Sequence, residues 1–129
     1  MILVDSSVWI AYLRGYRTLA TTKLEVMAAR QPLLIGDLIL LEVLQGARDD
    51  AHAERIQREL RRYEIVSLLD ADLARVAARN YRRLRELGIT IRKTVDIIIG
   101  TFCIEHGHAL LHDDHDFVPM AAHLGLMIV

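Results

Sequence analysis

The chain of 129 residues has a single cysteine, Cys103. That excludes an internal disulfide and a zinc site built from several thiolates. It has two prolines and seven glycines. With no Pro/Gly-rich linker, internal repeat or low-complexity segment, one domain spanning residues 1–129 is expected. No apolar run approaches the ~18–20 residues needed to cross a membrane. The opening MILVD reaches an acid too early for a signal peptide. A cytoplasmic protein with no membrane association is therefore the expectation. Net charge is also nearly absent, at −1.

That near-neutral total hides an uneven distribution. Between Arg55 and Lys93 there are eleven Lys/Arg against five Asp/Glu, concentrated in RIQRELRR and RVAARNYRRLRE. The acids lie mostly elsewhere, so the chain can carry a basic face and an acidic pocket together. Solvated helix faces are the simpler explanation for any one of these arginines.

The order of elements follows from short apolar runs and their punctuation. MILV, PLLI, EIVSL, ALLH and LMIV read as strands, and the segments between them read as helices. Ser6 or Ser7 can cap the first helix, Thr94 can cap VDIIIGTFCIEHG, and Gly88 and Gly107 can end helices. The strands are continuous rather than alternating in hydrophobicity. Strand and helix alternate along the chain. Both features predict an α/β fold with a mostly parallel sheet covered on both faces. In such folds the site lies at the carboxyl ends of the strands.

Acids cluster where that rule places the site. Asp5 directly follows the first strand, while Asp114 and Asp116 follow the fourth in LLHDDHDF. Glu42 lies within LILLEVL, a helix apolar nearly all round, where an unpaired carboxylate costs several kcal/mol. Asp96 opens an otherwise apolar helix. Asp5 and Asp96 also have ordinary uses, as a helix cap and as a first-turn acid favoured by the helix dipole. Gathered on one sheet edge, however, these groups repel: two like charges ~4 Å apart cost roughly 4 kcal/mol at an effective dielectric near 20. Such a pocket takes up protons or binds cations. Oxygen-only ligands select hard cations, Mg²⁺ or Mn²⁺. A zinc reading uses His112, His115 and Cys103, but these histidines straddle a strand end and no second pair follows. Asp113 and His115 read as solvated.

In this order and spacing, MILVDSSVWI, LLEVLQG, TVDIIIGT and LLHDDHDF resemble the PIN domain. They resemble most closely the VapC toxins of bacterial and archaeal toxin–antitoxin pairs. The resemblance covers the chain from Val4 to the last strand and implies a three-layer α/β/α sandwich. It implies a Mg²⁺- or Mn²⁺-dependent endoribonuclease acting on structured RNA, tRNA or rRNA. It places Asp5, Glu42, Asp96 and Asp114 as the catalytic acids, with Asp5, Asp96, Asp114 and Asp116 on the metal and Glu42 as a base or holder of the attacking water. Ser7 matches the small polar residue two places after the first acid. His112 stands where the family has Thr or Ser, and both are read as supporting residues. Arg79, Arg82, Arg83, Arg92 and Lys93 are the candidate RNA-phosphate contacts. The resemblance further implies a homodimer and a small VapB-like antitoxin that points a basic side chain into the pocket.

Two other readings use the same acids. A phosphoacceptor receiver domain shares the length, the parallel sheet and an acidic Mg²⁺ site. It needs an acid pair after the first strand and an Asp after the third, whereas this chain has only Asp5 and then Ser67–Leu68. A catalytically silent PIN-fold module would bind RNA or a partner without cutting; the complete acid set argues against it, and His112 for it.

Overall fold

In the computed structural model, which describes all residues from Met1 to Val129, the apolar runs form five strands. The elements run β1 (Ile2–Val4), α1 (Ser6–Leu13), α2 (Leu19–Ala28), β2 (Leu33–Gly36), α3 (Asp37–Gln45), α4 (Asp50–Leu60) and β3 (Glu64–Val66). They continue with α5 (Ala71–Glu86), α6 (Thr94–His106), β4 (Ala109–Leu111), a 3₁₀ turn (His115–Phe117), α7 (Val118–Leu124) and β5 (Met127–Ile128). The sheet order is β3-β2-β1-β4-β5, and every pairing is parallel.

This order has a direct consequence. From β1 the chain steps through β2 to β3 on one side, then returns to add β4 and β5 on the other. With right-handed crossovers, α1–α4 cover one face and α5–α7 the other. The switch of direction falls between β1 and β4, and the crevice beyond their carboxyl ends is the expected ligand site. Asp5 N–H donates to Leu111 O at 2.9 Å, which extends the β1–β4 ladder to the lip of that crevice.

The three central strands carry the core. Leu3, Val4, Leu34, Ile35, Leu110 and Leu111 are all buried, and Ile39, Leu84, Ile99 and Phe117 pack on them from the helices. Gly36, the last residue of β2, has no room for a side chain, because Leu68 occupies the space where a Cβ would stand. The Leu68 N–H then donates to Asp37 Oδ1 at 3.1 Å, tying the loop after β3 to the start of α3. Gly36→Ala is expected to destabilise the protein by about 1–3 kcal/mol through overpacking, measured as a lower urea midpoint with an unchanged slope.

Four expectations need correction. The N-cap of α1 is Asp5 rather than Ser6 or Ser7, because the carboxylate accepts the Ser7 N–H. Thr94 is the first residue of α6 and not its cap; Lys93 holds the cap position and makes no side-chain cap bond. β3 is shorter than EIVSL, ending at Val66, and forms one sheet edge with Glu64 and Ile65 exposed. The helix around Glu42 is not buried all round either. Only Ile39 and Val43 are fully covered, and Leu41 is 53% exposed.

Candidate active site

The residues that end β4 and begin α6 bring Asp96, Asp114 and Asp116 together, while Asp5 and Glu42 lie near but outside that set, within its electrostatic reach. Asp5 does two jobs. As the α1 cap, its Oδ2 accepts both the N–H and the hydroxyl of Ser7, at 3.1 and 2.7 Å. It is also 4% exposed and faces the other acids across the crevice. Burial holds its pKa above the usual carboxylate value, the Ser7 and Ser6 hydrogen bonds oppose this, and Asp114 adds repulsion.

Asp96, in the first turn of α6, is 4% exposed. Its Oδ2 is buried and has no hydrogen-bond partner. Burial, then the repulsion of Asp5, raises its pKa to about 7; Lys93 works against this, and Asp114 and Asp116 add to it. One ligand oxygen each from Asp96, Asp114 and Asp116 lies within 4.8 Å of the others. Glu42 projects from α3 and is partly buried, with Oε1 sealed from water and unpartnered. Burial and Asp5 raise its pKa, partly offset by the Ser6 hydroxyl and Lys93.

The loop after β4 is held by short-range bonds. Ser7 Oγ accepts the Asp113 N–H at 3.1 Å, so one hydroxyl joins the start of α1 to this loop. His112 Nδ1 accepts the Asp114 N–H at 3.1 Å, and Asp114 Oδ1 accepts the Asp116 N–H at 3.0 Å. His112 thus performs the local turn bonding that a Thr or Ser oxygen supplies in similar motifs. Its ring packs on Phe117 at 5.1 Å, and burial lowers its pKa against the pull of Asp5, Asp114 and Asp113. With Nδ1 accepting, the neutral ring carries its proton on Nε2. Ser7→Ala removes both of the bonds through that hydroxyl. It is expected to cost about 1–2 kcal/mol of stability, read as a lower midpoint in a thermal melt.

The cations partition by location. Arg92 Nη2 lies 3.3 and 3.4 Å from the two oxygens of Asp116, and Lys93 Nζ lies 3.8 Å from Asp114 Oδ2. α5 and α6 pack antiparallel, tied at mid-length by the 3.1 Å Asn80–Thr101 bond: Leu73 and Val76 line a groove with Phe102 and Glu105, and Tyr81 and Arg82 one with Thr94 and Ile97. This brings the C-terminal half of α5 beside the start of α6. Arg82 lines a groove there with Tyr81, Thr94 and Ile97, while Arg79 and Arg83 are exposed on the same helix. The other basic stretch is remote from the acids. α4 ends at the amino edge of the sheet, so Arg61 and Arg62 stand at the end opposite Asp5.

The zinc reading has no geometric support. His115 is exposed, His112 spends Nδ1 on the backbone, and neither joins the convergent set. Burial raises the Cys103 thiol to about 12. Asp113 is exposed, as expected. Ser6 was legible only as a possible cap; its position beside Glu42 depends on how α1 packs on α3.

An all-parallel sheet in this order, with acids converging at the β1–β4 switch point, defines a PIN domain, and the PIN-domain family model matches residues 2–122. Ribonuclease VapC11 of Mycobacterium tuberculosis is 32% identical over 123 residues, covering 94% of this chain and 92% of that protein. A VapC ribonuclease of Mycobacterium bovis matches to the same extent. Among solved structures, VapBC2 from Rickettsia felis, bound to a promoter DNA fragment, superposes with a TM-score of 0.80 at 16% identity, covering 100% of this chain and 98% of that one. Mycobacterium tuberculosis VapC20, described as a sarcin–ricin loop cleaving toxin, gives 0.69 at 21% identity, with 95% of each chain covered. The chain belongs to the PIN-domain family and, within it, to the VapC ribonucleases of toxin–antitoxin systems.

Proposed function

We propose that this protein is the toxin of a type II toxin–antitoxin pair, a Mg²⁺- or Mn²⁺-dependent endoribonuclease that cuts structured RNA, tRNA or rRNA. One observation carries the metal requirement: Asp96 Oδ2, beside Asp114 and Asp116, and Glu42 Oε1, in the field of Asp5, are each buried with no partner. A buried acceptor left unmatched is costly, and an oxygen-only donor set fits a hard divalent cation. Asp5, Asp96, Asp114 and Asp116 would hold the cation. When bound, it supplies the positive charge that offsets the acids, polarises the scissile phosphate and activates water for in-line attack.

The remaining roles belong to the protein's own groups. Ser7 and His112 fix Asp5 and the 112–116 loop, so the donors are arranged before substrate arrives. Glu42, held above its usual pKa, would take the proton from the attacking water. Arg79, Arg82 and Arg83 flank the start of α6 and would position RNA by its phosphates rather than read its bases. Attack on phosphorus would leave a 5′-phosphate and a 3′-hydroxyl.

The partly exposed helix α3 supports the antitoxin reading. Leu38, Leu40 and Leu44 are only partly covered and Leu41 is exposed, giving an apolar surface next to Glu42 for a VapB-like segment. Its basic side chain would then neutralise the pocket. A homodimer belongs to the same reading. The receiver alternative finds no support, because β3 leads into Ser67–Leu68 with no acceptor carboxylate. Purified protein is expected to cut total RNA with Mg²⁺ or Mn²⁺ and to stop when EDTA is added. Cutting that EDTA leaves unchanged would refute the metal requirement. Absence of cleavage with Mn²⁺ in a single-turnover assay on tRNA and rRNA would favour the silent module.

A further inference from the structure

The linker before α6 places two cations on the acids it helps to gather. Ile91 is buried and anchors the linker on one side, and Asp96 anchors it on the other. Between them, Arg92 spans both oxygens of Asp116, and Lys93 reaches Asp114. Lys93 also opposes the raised pKa of both Asp96 and Glu42, so it stands within the field of most of the pocket. The two side chains are 78% and 60% exposed, whereas their carboxylate partners are 17% and 24% exposed. The acids are mostly covered, while the cations are long and solvated. Lys93 has the extended backbone of a helix cap but does no capping. Its side chain goes to the pocket instead.

Resting on the metal-dependent reading above, we propose that Arg92 and Lys93 are an internal counter-cation that a divalent ion must displace, and that this competition sets the protein's metal affinity. The same displacement leaves two cations at the mouth of the pocket, where an RNA phosphate enters. Arg92 and Lys93 thus act as positioning residues with opposed effects: they weaken metal binding and strengthen RNA binding. Asp96 Oδ2, buried and without a partner, is not satisfied by either cation. It remains a ligand position that the internal pair cannot occupy, so displacement has a foothold.

The test measures Mn²⁺ binding to the metal-free protein by water-proton relaxation or electron paramagnetic resonance, with no RNA present. Wild type is compared with Arg92→Gln, Lys93→Gln and the double variant. Removing two competing ion pairs, each weak because it is exposed, is expected to tighten Mn²⁺ binding about tenfold in the double variant. The gain should shrink as KCl screens the competition. In parallel, KM for RNA is expected to rise in the double variant. A linker with a merely structural role would not move the two affinities in opposite directions. Wild type that binds Mn²⁺ no more weakly than the double variant overturns the competition and leaves the metal-dependent nuclease intact. Failure of every form, wild type included, to bind Mn²⁺ overturns the metal reading and this inference with it. A melt in the absence of metal confirms that each variant is folded.

Discussion

Asp96→Asn is expected to cost RNA cleavage three orders of magnitude or more and at the same time to raise the melting temperature of the metal-free protein. The two effects have one cause. Asp96 is 4% exposed, one of its oxygens is buried without a partner, and Asp114 and Asp116 each bring an oxygen to within 4.8 Å. Without a cation the carboxylate is desolvated and repelled. An amide of the same shape carries no charge, and its NH₂ donates toward the acids that the carboxylate opposes. Relief of a poorly compensated buried charge is worth about 1–3 kcal/mol, a rise of a few degrees for a chain of this size. Activity falls because the neutral amide is a poor ligand for a hard cation, and a bound metal supplies several kcal/mol of transition-state stabilisation. Single-turnover cleavage and a thermal melt in EDTA read the two effects. A variant that cuts RNA normally contradicts the role of Asp96. One that loses activity while melting earlier points to a structural acid.

Metal binding is expected to release protons and to tighten as pH rises from 6 to 8. Asp96 has its pKa raised to about 7, and those of Asp5 and Glu42 are raised as well. Near neutrality the metal-free pocket therefore retains protons that a cation has to expel. The sign for stability follows from the same shifts. A carboxyl with a raised folded-state pKa is ordinary in the unfolded chain, so the folded state binds protons more tightly. That contribution favours folding while the group is protonated in both states, below pH about 4. It is lost progressively as pH climbs through the unfolded value of 3.8 toward about 7. His112 and His108, both drawn below the ordinary histidine value of 6.5, act in the other direction as pH falls, because burial disfavours their charged forms. The metal-free protein should thus melt lower at pH 8.5 than at pH 6.5, and saturating Mn²⁺ should reverse most of that loss. Calorimetry in buffers of different ionisation enthalpy counts the protons. Binding that releases none, with an affinity flat from pH 6 to 8, would contradict the raised pKa of Asp96.

Much of this site was legible in the sequence because each acid sits at a punctuation mark. Asp5 ends an apolar strand, Asp114 and Asp116 end another, and Asp96 opens an apolar helix. In an alternating α/β chain, those positions share one sheet edge. Glu42 was legible from the apolar residues around it, although its helix is more open than the pattern implies. Leu41 points to solvent, and the apolar excess belongs to a surface. Asp5, Ser6 and Ser7 were all candidate caps of α1, and sequence alone cannot show that the carboxylate is the one that takes the Ser7 N–H. Two features depend on packing and left no local signal. One is the Ser7 bridge to Asp113, which spans 106 positions. The other is the contact of Arg92 and Lys93 with acids more than twenty residues away. The basic run at 55–62 shows the converse: charge density along the chain does not reveal which end of the sheet a helix reaches.

Asp5, Asp96, Asp114 and Asp116, with Glu42 beside them, are proposed to form a single divalent-cation site at the β1–β4 switch point. Crystals soaked in MnCl₂ and measured at the manganese absorption edge test it directly. The expected result is strong anomalous density between Asp5, Asp96 and Asp114, with Arg92 and Lys93 swung off Asp116 and Asp114. A map with no peak there, or with manganese held only elsewhere on the surface, would contradict it.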